Sequence, residues 1–252
     1  PCNGLFPAMI SLICIFFVGI SGGIGTSLVS ALLLTVVILL GIGMTLLFSR
    51  LLSKTLLRGV PSSFALELPP YRRPQIGKVI VRSVFDRTLF VLGRAIAVAA
   101  PAGAILWLLA NVHIGDASLL AHCAAFLDPL GRLLGMDGVI LTAFILGFPA
   151  NEIVIPIAVM AYTMGGTLTD VGDLAAMRDI LTTNGWTPLT AVCTILFSLM
   201  HWPCSTTVMT IRGETGSLRH TLAAVLLPTL AGVAVCFLVA AAARLVGEAA
   251  PF

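Results

Sequence analysis

A proline and two polar side chains interrupt a long apolar run at Gly147–Glu152, a segment we call the central break. Pro149 has no backbone N–H to donate and its ring crowds the carbonyl of the preceding turn, which breaks a helix. Asn151 and Glu152 follow at once, and an acid beside a break in an apolar helix is the arrangement expected of a cation site. In the alternative interpretation, Glu152 lies at an interface or pairs with Arg94.

A second proline break carries an imidazole and a thiol in the sequence His201–Thr207. Pro203 interrupts the apolar run, and His201 and Cys204 share one face if the turn stays roughly helical. Imidazole and thiolate together suit a borderline transition metal far better than sodium or magnesium. The structural alternative makes Cys204 a packed thiol and His201 a histidine with satisfied hydrogen bonds.

The start of the chain repeats the form of the second break. Pro1-Cys2-Asn3-Gly4 precedes an apolar run, just as the Pro203-Cys204 pair opens a helix. Paired breaks of this kind suggest structural repeats, whose broken helices usually meet at a substrate site near the middle of the membrane.

The elements that position these residues are membrane helices. The chain has 252 residues, of which 58% are hydrophobic and 10% charged, with a mean hydropathy of +1.08. So few charges cannot solvate the surface of a soluble globule of this length. The composition excludes an ordinary soluble enzyme, a disordered protein and a nucleic-acid binder, so no nucleic-acid partner is expected.

We therefore predict an all-α, polytopic helical membrane protein with about six spans in the lipid bilayer, Pro-interrupted helices and paired gate-like repeats. The apolar runs that predict the spans cover residues 5–20, 28–49, 89–112, 139–163, 187–211 and 219–246.

The predicted organisation has four parts. Residues 1–49 hold two membrane helices, 50–94 a basic connector and an amphipathic interfacial helix, 95–186 a central membrane region with the 147–152 break, and 187–252 the second gate-like region. Nine of the fourteen Lys and Arg residues lie in the second part, which predicts a cytoplasmic location for it.

The connector of the second part is rich in proline. Pro69 and Pro70 exclude a continuous helix. For Glu67, just before them, we expect a structural role at this elbow.

Four motifs spread over nearly the whole chain resemble the membrane portion of the FeoB family of bacterial ferrous-iron transporters. They are Pro1–Gly4 with Pro7 (the first gate motif), Leu66–Arg72, the central break, and His201–Thr207 (the second gate motif). The resemblance implies transport of Fe²⁺, as substrate, across the bacterial inner membrane. It also implies that the two gate cysteines lie near the permeation path.

We hypothesise a transient Fe²⁺ path that mixes thiol, carboxylate and carbonyl ligands with water, because a transported ion must bind and also leave. The expected path residues are Cys2, Cys204, Glu152, His201 and Asn151, with Asn3, Pro149, Pro203, Ser205 and Thr206 supporting the gates.

The FeoB resemblance also implies an N-terminal GTPase domain, yet the 252 residues contain no GxxxxGK[ST] phosphate loop. We therefore expect a transport module that is not itself an enzyme and binds no nucleotide, with the GTPase domain either cut away or a separate product. Small cytoplasmic Feo-type accessory proteins and a homo-oligomer are further expected partners.

Two other functions stay open at this point. One is transport of a nucleoside or another polar solute, because nucleoside-transport proteins have similar gate regions. The other is a non-transporting membrane scaffold or sensor, in which the proline breaks only shape helix packing.

Overall fold

The computed structural model describes residues 3–19, 23–54, 75–82, 85, 88–115, 117–164 and 172–247. Its α-helices are α1 Phe6–Ile13, α2 Ile24–Lys54, α3 Ile76–Arg82, α4 Phe90–Asn111, α5 Leu119–Leu133, α6 Gly138–Leu146, α7 Val154–Tyr162, α8 Leu174–Thr183, α9 Pro188–Met200, α10 Ser205–Thr215 and α11 Leu218–Leu245. Further helical elements are two 3-10 turns, Asn3–Leu5 and Asn151–Ile153, and a π-helical segment, Cys14–Val18.

The predicted all-α membrane class is confirmed. In the described part, strand structure is limited to a short antiparallel ribbon in which His113–Ile114 pairs with Ala117–Ser118. This ribbon connects α4 to α5 and was not foreseen from the sequence.

Three helical segments of the described chain are long and apolar enough to cross a membrane: Ile24–Lys54, Pro188–Thr215 and Leu218–Leu245. Helices α5 and α6 give a fourth if this pair, bent by 111°, counts as one broken span. The other three predicted runs contain shorter apolar helices, at Phe6–Val18, Ala95–Asn111 and Asn151–Tyr162. The count of six spans therefore stays a prediction.

Both predicted helix breaks in the second half of the chain are present. The 139–163 run divides into α6 and α7 around the central break, and Pro203 lies in the non-helical stretch between α9 and α10. The proposed pairing of repeats stays a prediction, because Pro1 and Cys2 lie outside the described residues.

The broken helices form the core, and the long helices lie outside them. Side chains of α6, α7 and α9 supply much of the buried apolar cluster, including Phe144, Ile157 and Phe197. By contrast, only 6% of the apolar window of α2 and 11% of that of α11 is buried. Exposed apolar side chains over such lengths suit contact with lipid, as expected of spanning helices.

The sharp bend between α5 and α6 depends on two glycines. A Cβ on Gly138 would overlap the carbonyl oxygen of Ala124, and a Cβ on Gly131 would lie 2.5 Å from the carbonyl carbon of Asp137. The two helices therefore approach at backbone-to-backbone distance, which only glycine permits here.

Two aspartates satisfy the backbone N–H groups at this bend. Asp137 caps α6 by accepting from the N–H of Ile140 over 2.7 Å. Asp128 accepts from the N–H of Gly138 over 3.2 Å and from Arg132 over 2.7 Å. The first turn of a helix leaves N–H groups without intrahelical partners, and these carboxylates supply the acceptors.

Two consecutive side-chain hydrogen bonds connect the bend to the neighbouring helices. The Tyr162 hydroxyl donates to Asp137, and the Trp186 indole N–H donates to the Tyr162 oxygen over 2.8 Å. The bend is thereby fixed to the end of α7 and to the residues just before α9.

Replacing Gly138 by Ala should destabilise the protein by about 2 kcal/mol or more, because the new methyl group meets rigid backbone and cannot be accommodated by a rotamer change. The measurement is the thermal unfolding midpoint and the folded yield in detergent. Gly43→Ala is the matched control, since a Cβ there has no neighbour within 4 Å. Equal midpoints for the two variants would contradict the close approach.

Candidate functional site

The central break and the second gate motif hydrogen-bond to each other. The backbone N–H of Ser205 donates to the carbonyl oxygen of Phe148 over 2.9 Å. The Ser205 hydroxyl donates to the carbonyl oxygen of Pro149 over 3.4 Å. Both carbonyls lie between α6 and α7, outside either helix, and Ser205 is 4% exposed. The first residue of α10 thus satisfies backbone groups that the central break releases.

Glu152 lies against the first gate motif. A Cβ on Gly4 would be 2.7 Å from its Oε2 atom and 3.4 Å from its Cβ. Glu152 is exposed although its neighbour Asn151 is buried. The central break therefore contacts the first gate motif at Gly4 and the second at Ser205.

The His201 ring is held in a defined orientation at the end of α9. Its Nδ1 lies 3.0 Å from the carbonyl oxygen of Ser198. A carbonyl only accepts, so this contact requires the proton on Nδ1 and leaves the Nε2 lone pair free in the neutral ring. The rings of Phe144, Phe197 and Trp202 surround the imidazole at centroid distances of 5.1, 6.0 and 5.8 Å.

Three buried polar atoms have no hydrogen-bond partner in the described part of the chain: Asn151 Oδ1, His201 Nε2 and Trp202 Nε1. Asn151 is 6% and His201 7% exposed. A buried polar group without a partner costs about 1–3 kcal/mol, so three at the two breaks are unusual for a purely structural region. Among the described residues, one ring nitrogen of His201 therefore keeps no hydrogen-bond partner.

Cys204 begins α10 as its N-cap residue, with extended backbone at φ −60° and ψ 158°. Its Sγ atom lies 3.2 Å from the hydroxyl oxygens of both Thr206 and Thr207. The thiol is part-buried, in a polar setting at a helix N-terminus, where the helix dipole favours negative charge. This environment does not match that of a thiol packed in an apolar core.

The expected common helical face of His201 and Cys204 does not exist. His201 has extended backbone at ψ 176°, and the following residues are non-helical until Ser205. The reason is that Pro203 unwinds a whole turn, whereas a shared i, i+3 face requires a helix that is only kinked.

The structure brings together only some of the predicted path residues. Asn151, Glu152, His201 and Cys204 flank the two breaks, but no group of three His, Cys, Asp or Glu side chains able to hold a metal ion occurs among the described residues. Pro149 and Pro203 lie at the breaks, Ser205 joins them, and Thr206 contacts the Cys204 thiol.

Several expected residues fall outside the described chain: Cys2, Glu67, Pro69 and Pro70. Asn3 is described through its backbone, which begins the first 3-10 turn.

Sequence reasoning missed three contributors to the site. Gly4 is one residue of the first gate motif, and only the structure shows that its missing side chain admits Glu152. Phe144 and Phe197, which face His201, look like ordinary apolar residues of their helices. A usable signal was available only for Gly4, as a glycine in a motif that precedes a helix.

Bent and broken apolar helices whose interruptions meet are typical of a polytopic helical membrane protein. Residues 92–218 match the Gate family, described as nucleoside recognition, and this range contains the central break and the second gate motif. Residues 34–87 match the ferrous iron transport protein B C terminus. The chain belongs to the FeoB family and corresponds to its C-terminal membrane portion.

Curated relatives from several bacteria carry the name Fe(2+) transporter FeoB. The chain is 31% identical to the one from Staphylococcus aureus strain MSSA476 over 209 residues, which is 79% of this chain and 30% of that protein. The chain is 26% identical to the protein from Leptospira interrogans strain 56601 over 239 residues, which is 86% of this chain and 34% of that protein. It is 29% identical to the protein from Synechocystis over 168 residues, which is 66% of this chain and 26% of that protein. The chain thus spans about a third or less of the length of these relatives. No solved structure matches the chain.

The contact between the breaks can be tested at Ser205. Proline is compatible with the first position of a helix, so Ser205→Pro removes the N–H that binds Phe148 while preserving the start of α10. We expect it to destabilise the protein by about 1–3 kcal/mol more than Ser205→Ala, which removes only the hydroxyl. Thermal unfolding of both variants in detergent gives the comparison. Equal unfolding midpoints would mean that the backbone hydrogen bond contributes nothing.

Proposed function

We propose that this chain is the membrane module through which ferrous iron crosses the bacterial inner membrane. The proposal is supported by membership of the FeoB family and by the name that the curated relatives carry. Fe²⁺ is the transported substrate, and the chain is the part of the transporter embedded in the lipid bilayer.

The observation that carries the proposal is a pair of buried acceptors with no donor among the described residues. Asn151 Oδ1 lies at the central break and His201 Nε2 at the second gate motif, and Ser205 hydrogen-bonds these two regions together. Acceptors without donors suit a cation. An imidazole whose other nitrogen donates to a backbone carbonyl, as His201 does to Ser198, has the arrangement usual for a metal-binding histidine.

Glu152 and Cys204 add what the neutral acceptors lack. The exposed carboxylate of Glu152 supplies negative charge at the central break. The Cys204 thiol supplies a soft ligand and loses its proton when a metal binds. Cys2, in the first gate motif, is proposed as a second thiol of the path, from the family resemblance alone.

The scattered arrangement of these groups fits transport better than storage. A closed cage of four ligands holds its metal, whereas a path needs weak sites that an ion occupies and leaves in turn. Each break contributes one or two ligands, so water must complete the shell of the ion at every step.

The remaining machinery of the transporter is proposed by family resemblance. It comprises the GTPase domain, as part of a longer chain or as a separate product, the small cytoplasmic Feo-type proteins, and assembly of several copies. In this proposal the GTPase domain performs the enzymatic step and the membrane module does not.

A polar organic solute such as a nucleoside is the second candidate. Two observations favour it: the description of the Gate family as nucleoside recognition, and the buried Trp202 N–H, which lacks an acceptor in the described structure and lies beside the aromatic rings of Phe197 and His201. Aromatic rings with an N–H donor suit a planar base.

The test is uptake of Fe²⁺ into proteoliposomes containing the chain, compared at matched protein levels. We expect Glu152→Gln and Cys204→Ser each to reduce uptake by about tenfold or more, the cost typical of weakening a metal site. Glu214→Gln and Cys123→Ser are matched controls away from the breaks, and both should transport like the wild type.

Four outcomes separate the candidates. Loss of Fe²⁺ uptake in the two site variants alone supports the iron path. Unchanged uptake in both variants overturns the assignment of these residues. Uptake of labelled nucleoside without iron supports the second candidate, and uptake of neither by the wild type supports a scaffold or sensor.

A further inference from the structure

The 3-10 turn Asn3–Leu5 packs directly on the 3-10 turn Asn151–Ile153. At the contact, the position where Gly4 would carry a Cβ is 2.7 Å from Glu152 Oε2, 3.7 Å from its Cδ and 3.4 Å from its Cβ. The whole carboxylate-bearing side chain of Glu152 therefore lies along the backbone of Gly4.

Space, and not backbone conformation, is what requires glycine at this position. Gly4 is absent from the glycines with positive φ, which in the described chain include Gly19 and Gly135. Any L-residue could adopt the backbone conformation of Gly4, but its Cβ would lie only 2.7 Å from the Glu152 carboxylate oxygen.

A methyl group at Gly4 would meet the flexible end of a side chain, so the protein can respond by moving that side chain. This distinguishes Gly4 from Gly138, where the added atom would meet backbone. Adding one methyl group at Gly4 should leave the fold intact and displace the carboxylate of Glu152.

We propose that Gly4 is a positioning residue for Glu152: by presenting bare backbone, it fixes the carboxylate at the junction of the first gate motif and the central break. This inference rests on the proposed function for the role of the carboxylate, which is to bind the divalent cation in transit. Through Gly4, the first gate motif controls a ligand that belongs to another element of the fold.

The first test is Gly4→Ala in Fe²⁺ uptake. A carboxylate displaced by an ångström binds the cation less well, so we expect KM for Fe²⁺ to rise about three- to tenfold with little change in thermal stability. Gly103→Ala, where a Cβ has no neighbour within 4 Å, is the control and should keep the wild-type KM. An unchanged KM in Gly4→Ala would overturn the proposal.

A double-mutant cycle separates positioning from a general structural effect. Glu152→Asp shortens the side chain by one methylene and withdraws the carboxylate from the added methyl group. We expect Gly4→Ala to raise KM less in the Glu152→Asp background than in the wild type. If Gly4→Ala raised KM by the same factor in both backgrounds, Gly4 would not act through Glu152.

A readout without transport keeps this inference separate from the proposed function. Dicyclohexylcarbodiimide labels carboxyl groups in apolar surroundings, and mass spectrometry of the peptide containing Glu152 measures the labelling rate. We expect Gly4→Ala to change this rate at least about twofold, because the added methyl group displaces the carboxylate into different surroundings. A changed rate in protein that carries no iron would retain the positioning role and reject the iron path, whereas a rate equal to that of Gly103→Ala would reject the positioning role.

Discussion

The backbone hydrogen bond from Ser205 to Phe148 is the interaction on which the rest of the site depends. Hydrocarbon provides no partners for backbone N–H and C=O groups, so a helix can be interrupted in a membrane only where protein or a water-filled cavity covers the break. The two breaks cover each other: the carbonyls released around Pro149 are bound by the start of α10. Each interruption is tolerated because the other one is present.

The placement of the remaining helices follows from this arrangement. The short helices α6 and α7 and the helix α9 are buried, since the polar groups at their ends need cover. Long helices with few buried residues, α2 and α11, present apolar side chains that suit contact with lipid. The α5–α6 bend closes the other end of the bundle, where Asp128 and Asp137 bind the exposed backbone N–H groups. Polar backbone is thus satisfied inside the protein, and apolar side chains meet the bilayer.

The sequence alone predicted the positions of the breaks, because proline removes a donor wherever it occurs and the effect is local. It also predicted Asn151, Glu152 and Cys204 as unusual polar groups among apolar neighbours. The contact from Ser205 to Phe148 joins residues 57 positions apart in the chain, and no local pattern encodes such a pairing. The shared face of His201 and Cys204 failed because the sequence does not show how many residues Pro203 removes from the helix.

The roles of individual glycines were the hardest feature to predict from the sequence. Gly138 permits two helices to touch, Gly4 admits a carboxylate, and Gly43 has no neighbour at its Cβ position. All three look alike in a sequence, because what differs is the atom on the other side of the contact. Only the structure distinguishes a glycine whose missing Cβ permits a close contact from a glycine with no neighbour at that position.

The length of α6 and α7 has an electrical consequence. Each has nine residues and so is about 13.5 Å long, a little under half of the about 30 Å hydrocarbon core. With the outer end of either helix at a membrane surface, the central break lies deep within the membrane potential. Moving one charge across the whole membrane changes the free energy by about 2.3 kcal/mol per 100 mV. A divalent ion that moves halfway carries two charges across half of the potential, so its free energy changes by roughly the same amount. Occupancy of a site at Glu152 would then depend on voltage as well as on the concentration of the ion.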